Sequence, residues 1–93
     1  SLIKESTQDL EIVASYEEAY AALDTGEYSF AAKKFLEAEL LFPQSEWAPR
    51  SVLMASYSYY LQNYYAEALS NLERYIKKQN SPMSYLEMTS PLF

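Results

Sequence analysis

Residues 37 positions apart in this chain match in kind: Tyr28 with Tyr65, Ala31 with Ala68, Phe35 with Leu72, Ala19 with Ser56, and Tyr20 with Tyr57. At the same offset Gly26 meets Asn63, the two residue types that enter left-handed backbone at least cost. A duplication in constant register confines the chain to folds in which one supersecondary unit is stacked on a copy of itself.

The unit is a helix, a tight turn and a second helix. Val13, Tyr16, Tyr20 and Leu23 fall at steps of three and four, the signature of one helical face. That run stops at Asp24-Thr25-Gly26, where Gly26 can close a helix C-terminus. Tyr28, Ala31, Phe35, Ala38 and Phe42 form the next stripe, which Pro43 ends because the residue before a proline avoids helical backbone. Ser45 is a natural N-cap for a third helix, and Pro49 is tolerated in its first turn. Trp47 lies between the two prolines and is expected to fold back over the turn. The third helix carries Val52, Ala55 and Tyr59, with Leu53, Tyr57 and Tyr60 on a neighbouring face, and runs out at Gln62-Asn63. The fourth carries Tyr65, Ala68, Leu72 and Tyr75 and fades at Lys77-Lys78-Gln79-Asn80.

The period is close to the ~34 residues of tetratricopeptide repeats. The small residue in each first helix (Ala19, Ser56) and the Ala–bulky pattern in each second helix resemble that motif, and Pro43 closes the first copy as the motif requires. The second copy departs, with Tyr75 where a small residue is usual and Asn80 in place of proline. The expected fold is therefore all-α, a tetratricopeptide-repeat α-solenoid of two repeats plus the start of a third. Its expected divisions are an N-terminal extension (1–7), repeat 1 (8–43), repeat 2 (44–80), and a truncated start of repeat 3 or tail (81–93). In that last stretch Ser84 and Glu87 have capping-box spacing, and Pro91 would interrupt the helix. Stacked repeats bury an apolar face against a neighbour, so a piece with two repeats should keep an open C-terminal face and self-associate through it. The opening "SLIKES", without an initiating Met, reads as a mature form or a fragment.

Composition narrows function mainly by exclusion. The chain has no His and no Cys, so the usual nucleophile–base pairs, thiolate metal sites and disulfides are absent. One glycine cannot build a phosphate-cradling loop, and no acidic run has the central Gly of a calcium loop. A net charge of -6 disfavours nucleic acid and anionic membrane surfaces. The acidic residues Glu17-Glu18, Glu37-Glu39 and Glu67-Glu73 fall where the helical stripes point to solvent, which is a reason not to read them as an acid–base pair. We expect no enzyme, no cofactor, no metal and no small-molecule substrate.

Tyrosine stands out, at ten residues in 93. It offers large area and a polar tip at low entropic cost and is common in recognition surfaces. Tetratricopeptide arrays bind peptides on the concave face made by their first helices. By repeat position that face takes Val13, Tyr16, Tyr20 and Leu23 from repeat 1, and Arg50, Leu53, Tyr57 and Tyr60 from repeat 2. For Tyr20 and Tyr57 a groove position and a core position are both open at this point; Tyr28 and Tyr65 are expected to be structural. Arg50 is the cation of that face, available either to a peptide carboxylate or to a surface pair with Glu46.

The turn "FPQSEWAPR", the following "LMASYSYY" and the second-repeat "YYAEALSNLERYIKK" resemble the BamD/ComL family of outer-membrane β-barrel assembly lipoproteins, over roughly Tyr16 to Lys78. The resemblance implies a longer protein of about five repeats on the periplasmic face of the bacterial outer membrane, tethered by a lipidated N-terminal Cys upstream of Ser1. It implies N-terminal repeats that receive unfolded outer-membrane proteins, through an aromatic-ended segment, and C-terminal repeats that contact the barrel-assembly subunit. The later repeats, and with them the main docking surface for that subunit, would be missing here. After Pro82 the match weakens. The alternative readings are a generic tetratricopeptide adaptor of the cell envelope and a factor of the Tol-Pal-associated type. An acidic-tail clamp would need several cations on the first-helix face, where Arg50 stands alone, and a Tol-Pal-type factor would usually follow a coiled coil.

Overall fold

The computed structural model describes residues 2–80, with side chains from residue 10 onward. Among the described residues there are four helices and no strand: α1 (Leu2–Asp24), α2 (Tyr28–Leu41), α3 (Trp47–Leu61) and α4 (Tyr65–Asn80). The stretch 81–93, with the capping-box pair Ser84 and Glu87, lies outside the described residues. Helix α1 already runs from Leu2, well upstream of the apolar stripe that signalled it.

The two hairpin turns are copies at the level of single hydrogen bonds. Gly26 has φ +83° and Asn63 φ +65°. Gly26 N–H donates to the Leu23 carbonyl (3.1 Å) and Glu27 N–H to the Ala22 carbonyl (2.9 Å). Asn63 N–H donates to Tyr60 (2.9 Å) and Tyr64 N–H to Tyr59 (3.0 Å), the same pair of bonds shifted by one repeat. Both are Schellman closures, in which one left-handed residue satisfies two orphan carbonyls and reverses the chain. The connection between hairpins is different. Helix α2 stops at Leu41, and Phe42, in non-helical backbone before Pro43 (φ −135°, ψ 64°), begins the turn. Ser45 Oγ accepts from Trp47 N–H (3.0 Å), so the expected capping bond is made, although regular helix begins only at Trp47.

Helices pack in chain order, α1 on α2, α2 on α3 and α3 on α4, with α1 touching α3 lightly. Two layers result, α1 and α3 in one, α2 and α4 in the other. The radius of gyration is 14.0 Å, against about 12 Å for a compact domain of this length. The extents of 42 × 31 × 15 Å describe a thin slab, as stacked hairpins must be.

The core is built of small residues around one large one. Ala19, Ala22, Ala31, Phe35 and Ala55 form its centre, with Tyr16, Leu23, Leu36 and Met54 packed around them. The matched small pair is buried in both copies, Ala19 against α2 and Ser56 against α4, where Ser56 Oγ donates to the Ala68 carbonyl (2.7 Å). The second hairpin is not sealed in the same way. Leu69, Leu72 and Ile76 of α4 are exposed along one face, with Tyr65 exposed at its start. Nothing among the described residues stacks on α4 as α3 stacks on α2.

One expectation is corrected. Glu39 does not point to solvent: its side chain is only 12% exposed and is held by Arg74 and Lys78 of α4. The apolar stripe of one helix does not show what the next repeat brings beside it. A carboxylate at the edge of that stripe reaches the next repeat, where two cations meet it.

Candidate functional site

The eight candidate residues fall into four pairs at the repeat offset: Val13 with Arg50, Tyr16 with Leu53, Tyr20 with Tyr57, and Leu23 with Tyr60. All lie on α1 and α3, the two helices of one layer. Their burial differs between copies. In the first hairpin Val13, Tyr16 and Leu23 are half-buried, and Tyr16 and Leu23 pack against the core. In the second, Arg50, Leu53, Tyr57 and Tyr60 are all exposed. The pair left open by the sequence falls on the surface in both copies, Tyr20 at 45% and Tyr57 at 47% exposure.

Tyr16 organises the face. Its ring meets Phe35 edge-on (centroids 5.2 Å, 70°), Trp47 at 5.2 Å and Tyr20 at 6.1 Å. Edge-on and tilted pairs at such distances are favourable beyond the area they bury. Trp47 thus closes the turn by stacking on α1, and in doing so joins the two hairpins. Arg50 caps this arrangement, its guanidinium 5.0 Å from the Trp47 ring centroid. Arg50 therefore takes the Trp47 ring rather than Glu46 as its partner, a cation–π contact at i,i+3 spacing. Burial raises the Tyr16 hydroxyl above its usual pKa, with Tyr20 adding to the shift and Arg50 opposing it, so Tyr16 stays neutral. At the far end of α3, Tyr60 meets Tyr65 at a tilt (5.7 Å); the Tyr65 hydroxyl donates to Asn63 Oδ1 (2.8 Å), and the Tyr65 side chain is exposed.

Sequence reasoning missed Trp47 as part of this face. The signal was present in Trp47 and Arg50 one helical turn apart, but Trp47 was assigned to the turn alone. The Glu39–Arg74–Lys78 group was missed too, since its members are 35 and 39 residues apart with no local pattern linking them.

An all-α chain of stacked helical hairpins, with an aromatic face across its first helices and no helix long and apolar enough to cross a membrane among the described residues, is a tetratricopeptide-type repeat protein. The model of one such family, the outer membrane lipoprotein family YfiO, matches residues 8–85, and the chain belongs to that family. The Outer membrane protein assembly factor BamD of Caulobacter vibrioides is 44% identical over 54 residues, which cover 58% of this chain and 18% of that relative. The matched stretch is thus less than a fifth of that curated relative's length. No solved structure matches the chain.

Proposed function

We propose that this chain is a non-catalytic part of the machinery that assembles β-barrel proteins in the outer membrane, and that its α1/α3 face holds segments of unfolded client. The chain would work on the periplasmic side, tethered through a lipidated Cys upstream of Ser1. It would also dock to other subunits of the barrel-assembly complex. Family membership supports the setting. The single observation that supports the binding role is the pair Tyr20 and Tyr57, alike in identity and alike in exposure across the repeat. Packing does not require an aromatic at a half-exposed position. A peptide laid across α1 and α3 would cover both rings, with Leu53 and Tyr60 extending the apolar strip and Arg50 supplying the one charge.

The test is the double substitution Tyr20→Ala with Tyr57→Ala. The probe is a ten-residue synthetic peptide of alternating apolar and polar residues ending in phenylalanine, and binding is read by titration calorimetry. Truncating a well-used interface tyrosine costs about 1 kcal/mol or more, so the pair should weaken binding about thirtyfold. Folding should change little, because surface truncations outside the core cost about 0.5 kcal/mol each. An unchanged affinity in a folded double variant refutes the assignment of the face.

A further inference from the structure

Beside the packing of α2 on α3, two unlike ties link the second hairpin to the first. In the α1/α3 layer the Tyr16 and Trp47 rings meet at 5.2 Å. In the α2/α4 layer, behind the aromatic face, Glu39 of α2 accepts three hydrogen bonds from α4. Arg74 Nε donates to Oε2 (3.2 Å), Arg74 Nη2 to Oε1 (2.8 Å), and Lys78 Nζ to Oε2 (3.0 Å). The guanidinium thus grips the carboxylate side-on through two bonds, a geometry that fixes direction as well as distance.

Arg74 is itself held in place. Its Nη2 also donates to Asn71 Oδ1 (2.8 Å), and the buried Asn71 donates from Nδ2 to the Glu67 carbonyl (2.7 Å). The clamp therefore projects from α4 already oriented. The packing beside it is incomplete. A void of about 10 Å³ is lined by Glu39 and Lys78 together with Pro43, Pro49, Val52 and Tyr75. That is room for about one water. Between α2 and α4 themselves, three charged side chains span the gap.

We propose that Glu39, Arg74 and Lys78 are positioning residues for the aromatic face: a polar clamp that sets the angle between the hairpins and so the separation of the Tyr20 and Tyr57 rows. The functional half of this inference rests on the reading of that face as a peptide site. None of the three residues is on α1 or α3, so they act on a guest only through the angle they hold. Loosening the clamp lets the hairpins sample other angles. The fraction of molecules with the face at its working spacing then falls, and the apparent dissociation constant rises in inverse proportion. A clamp made of charges also makes that spacing depend on salt.

The chain contains no cysteine, so Lys33→Cys on α2 with Ser70→Cys on α4 gives two unique exposed sites for spin labels. Inter-label distance distributions and affinity for the same ten-residue peptide are measured for three forms, each carrying the label pair. They are the parent chain, Glu39→Gln, and the inverted pair Glu39→Arg with Arg74→Glu. Glu39→Gln should broaden the distribution and weaken the peptide about fivefold. The inverted pair should restore most of both, a rescue that mere loss of stability would not show. Adding salt to 1 M, where the screening length is about 3 Å, should broaden the distribution of the parent chain in the same sense. That arm needs no substitution in the clamp and decides the matter even if Glu39→Gln fails to fold. Distributions unchanged by both Glu39→Gln and salt overturn the proposal. So does a broadened distribution with unaltered affinity. If the parent chain binds no peptide, the reading of the face fails by itself, and the distances still judge whether the clamp sets the angle.

Discussion

Phe35 and Leu72 occupy one repeat position, yet Phe35 is 0% exposed and Leu72 is 37% exposed. The stacking argument therefore makes unequal predictions for two substitutions that a sequence alignment of the repeats would treat alike. Phe35 sits among Ala19, Ala22, Ala31 and Ala55, with the Tyr16 ring edge-on at 5.2 Å. Alanine has no side chain long enough to fill that space, and backbones held together through small residues cannot collapse into it. Phe35→Ala should cost about 3–5 kcal/mol, transfer and cavity together. Leu72 is partly open, so its truncation leaves no enclosed cavity. Full burial of a leucine is worth about 1.5–3 kcal/mol, and with part of the side chain already in water Leu72→Ala should cost about 1 kcal/mol.

A chain of this length has net stability of about 5–14 kcal/mol at 0.05–0.15 per residue. A thin two-hairpin slab belongs near the low end, because little of its surface is buried. Phe35→Ala should then leave a marginal fold, with Tm lowered by about 12–40 °C, and Leu72→Ala should lower Tm by about 4–8 °C. Urea unfolding followed by far-UV circular dichroism and by Trp47 fluorescence gives both costs, at low micromolar protein and again at tenfold higher concentration. Equal costs would refute the reasoning. A Leu72 cost above about 2 kcal/mol that grows with concentration would mean that a second copy covers Leu69, Leu72 and Ile76. The same excess independent of concentration would mean that the chain covers this face itself.

Two further outcomes follow from single side chains. Ser51 Oγ is fully buried with no hydrogen-bond partner among the described residues, so Ser51→Ala removes a desolvated hydroxyl at no lost bond. Its urea midpoint should be unchanged or raised, by up to about 1 kcal/mol in stability. Glu39 gives a pH dependence: burial pushes its carboxyl up, but the hydrogen bonds and charges of Arg74 and Lys78 outweigh burial and hold it below the ordinary carboxylate value. A depressed pKa means stability that is fully present above the unfolded-state value and lost as pH falls through the folded one. The urea-stability gap between the parent chain and Glu39→Gln should therefore be constant near neutrality and close below about pH 4. A gap that widens in acid would contradict the ion-pair account.

The fold was legible because its determinants are local and occur twice. Gly26 and Asn63 mark the hairpin turns by backbone chemistry alone, and Ala31, Phe35 and Ala38 mark the buried stripe of α2 by spacing. What escaped the sequence is what depends on neighbours. Glu39 has the spacing of a solvent residue and becomes a half-buried ion-pair partner only because α4 arrives beside it. Trp47 reads as a turn residue and becomes a junction between hairpins because Tyr16 lies opposite. Tyr16 and Leu23 belong to the first-helix stripe, but α2 and α3 draw them toward the core, so the open part of the face is carried mostly by the second hairpin.

The matched positions sort themselves by whether packing explains the match. Ala19 and Ser56 are small in both copies because each helix pair approaches closely there, and any larger side chain would push the helices apart. Gly26 and Asn63 are what they are because φ is positive. Ala31 and Ala68 are buried in both copies. Tyr20 and Tyr57 differ from all of these. Half of each side chain faces solvent, neither is held by a turn, and a lysine or glutamate would satisfy the helix as well. Within the fold Tyr20 adds one tilted ring contact, with Tyr16 at 6.1 Å. On the proposed reading the pair serves a guest laid across α1 and α3, so Tyr20 and Tyr57, rather than the half-buried Tyr16 and Trp47, are where binding should be tested first.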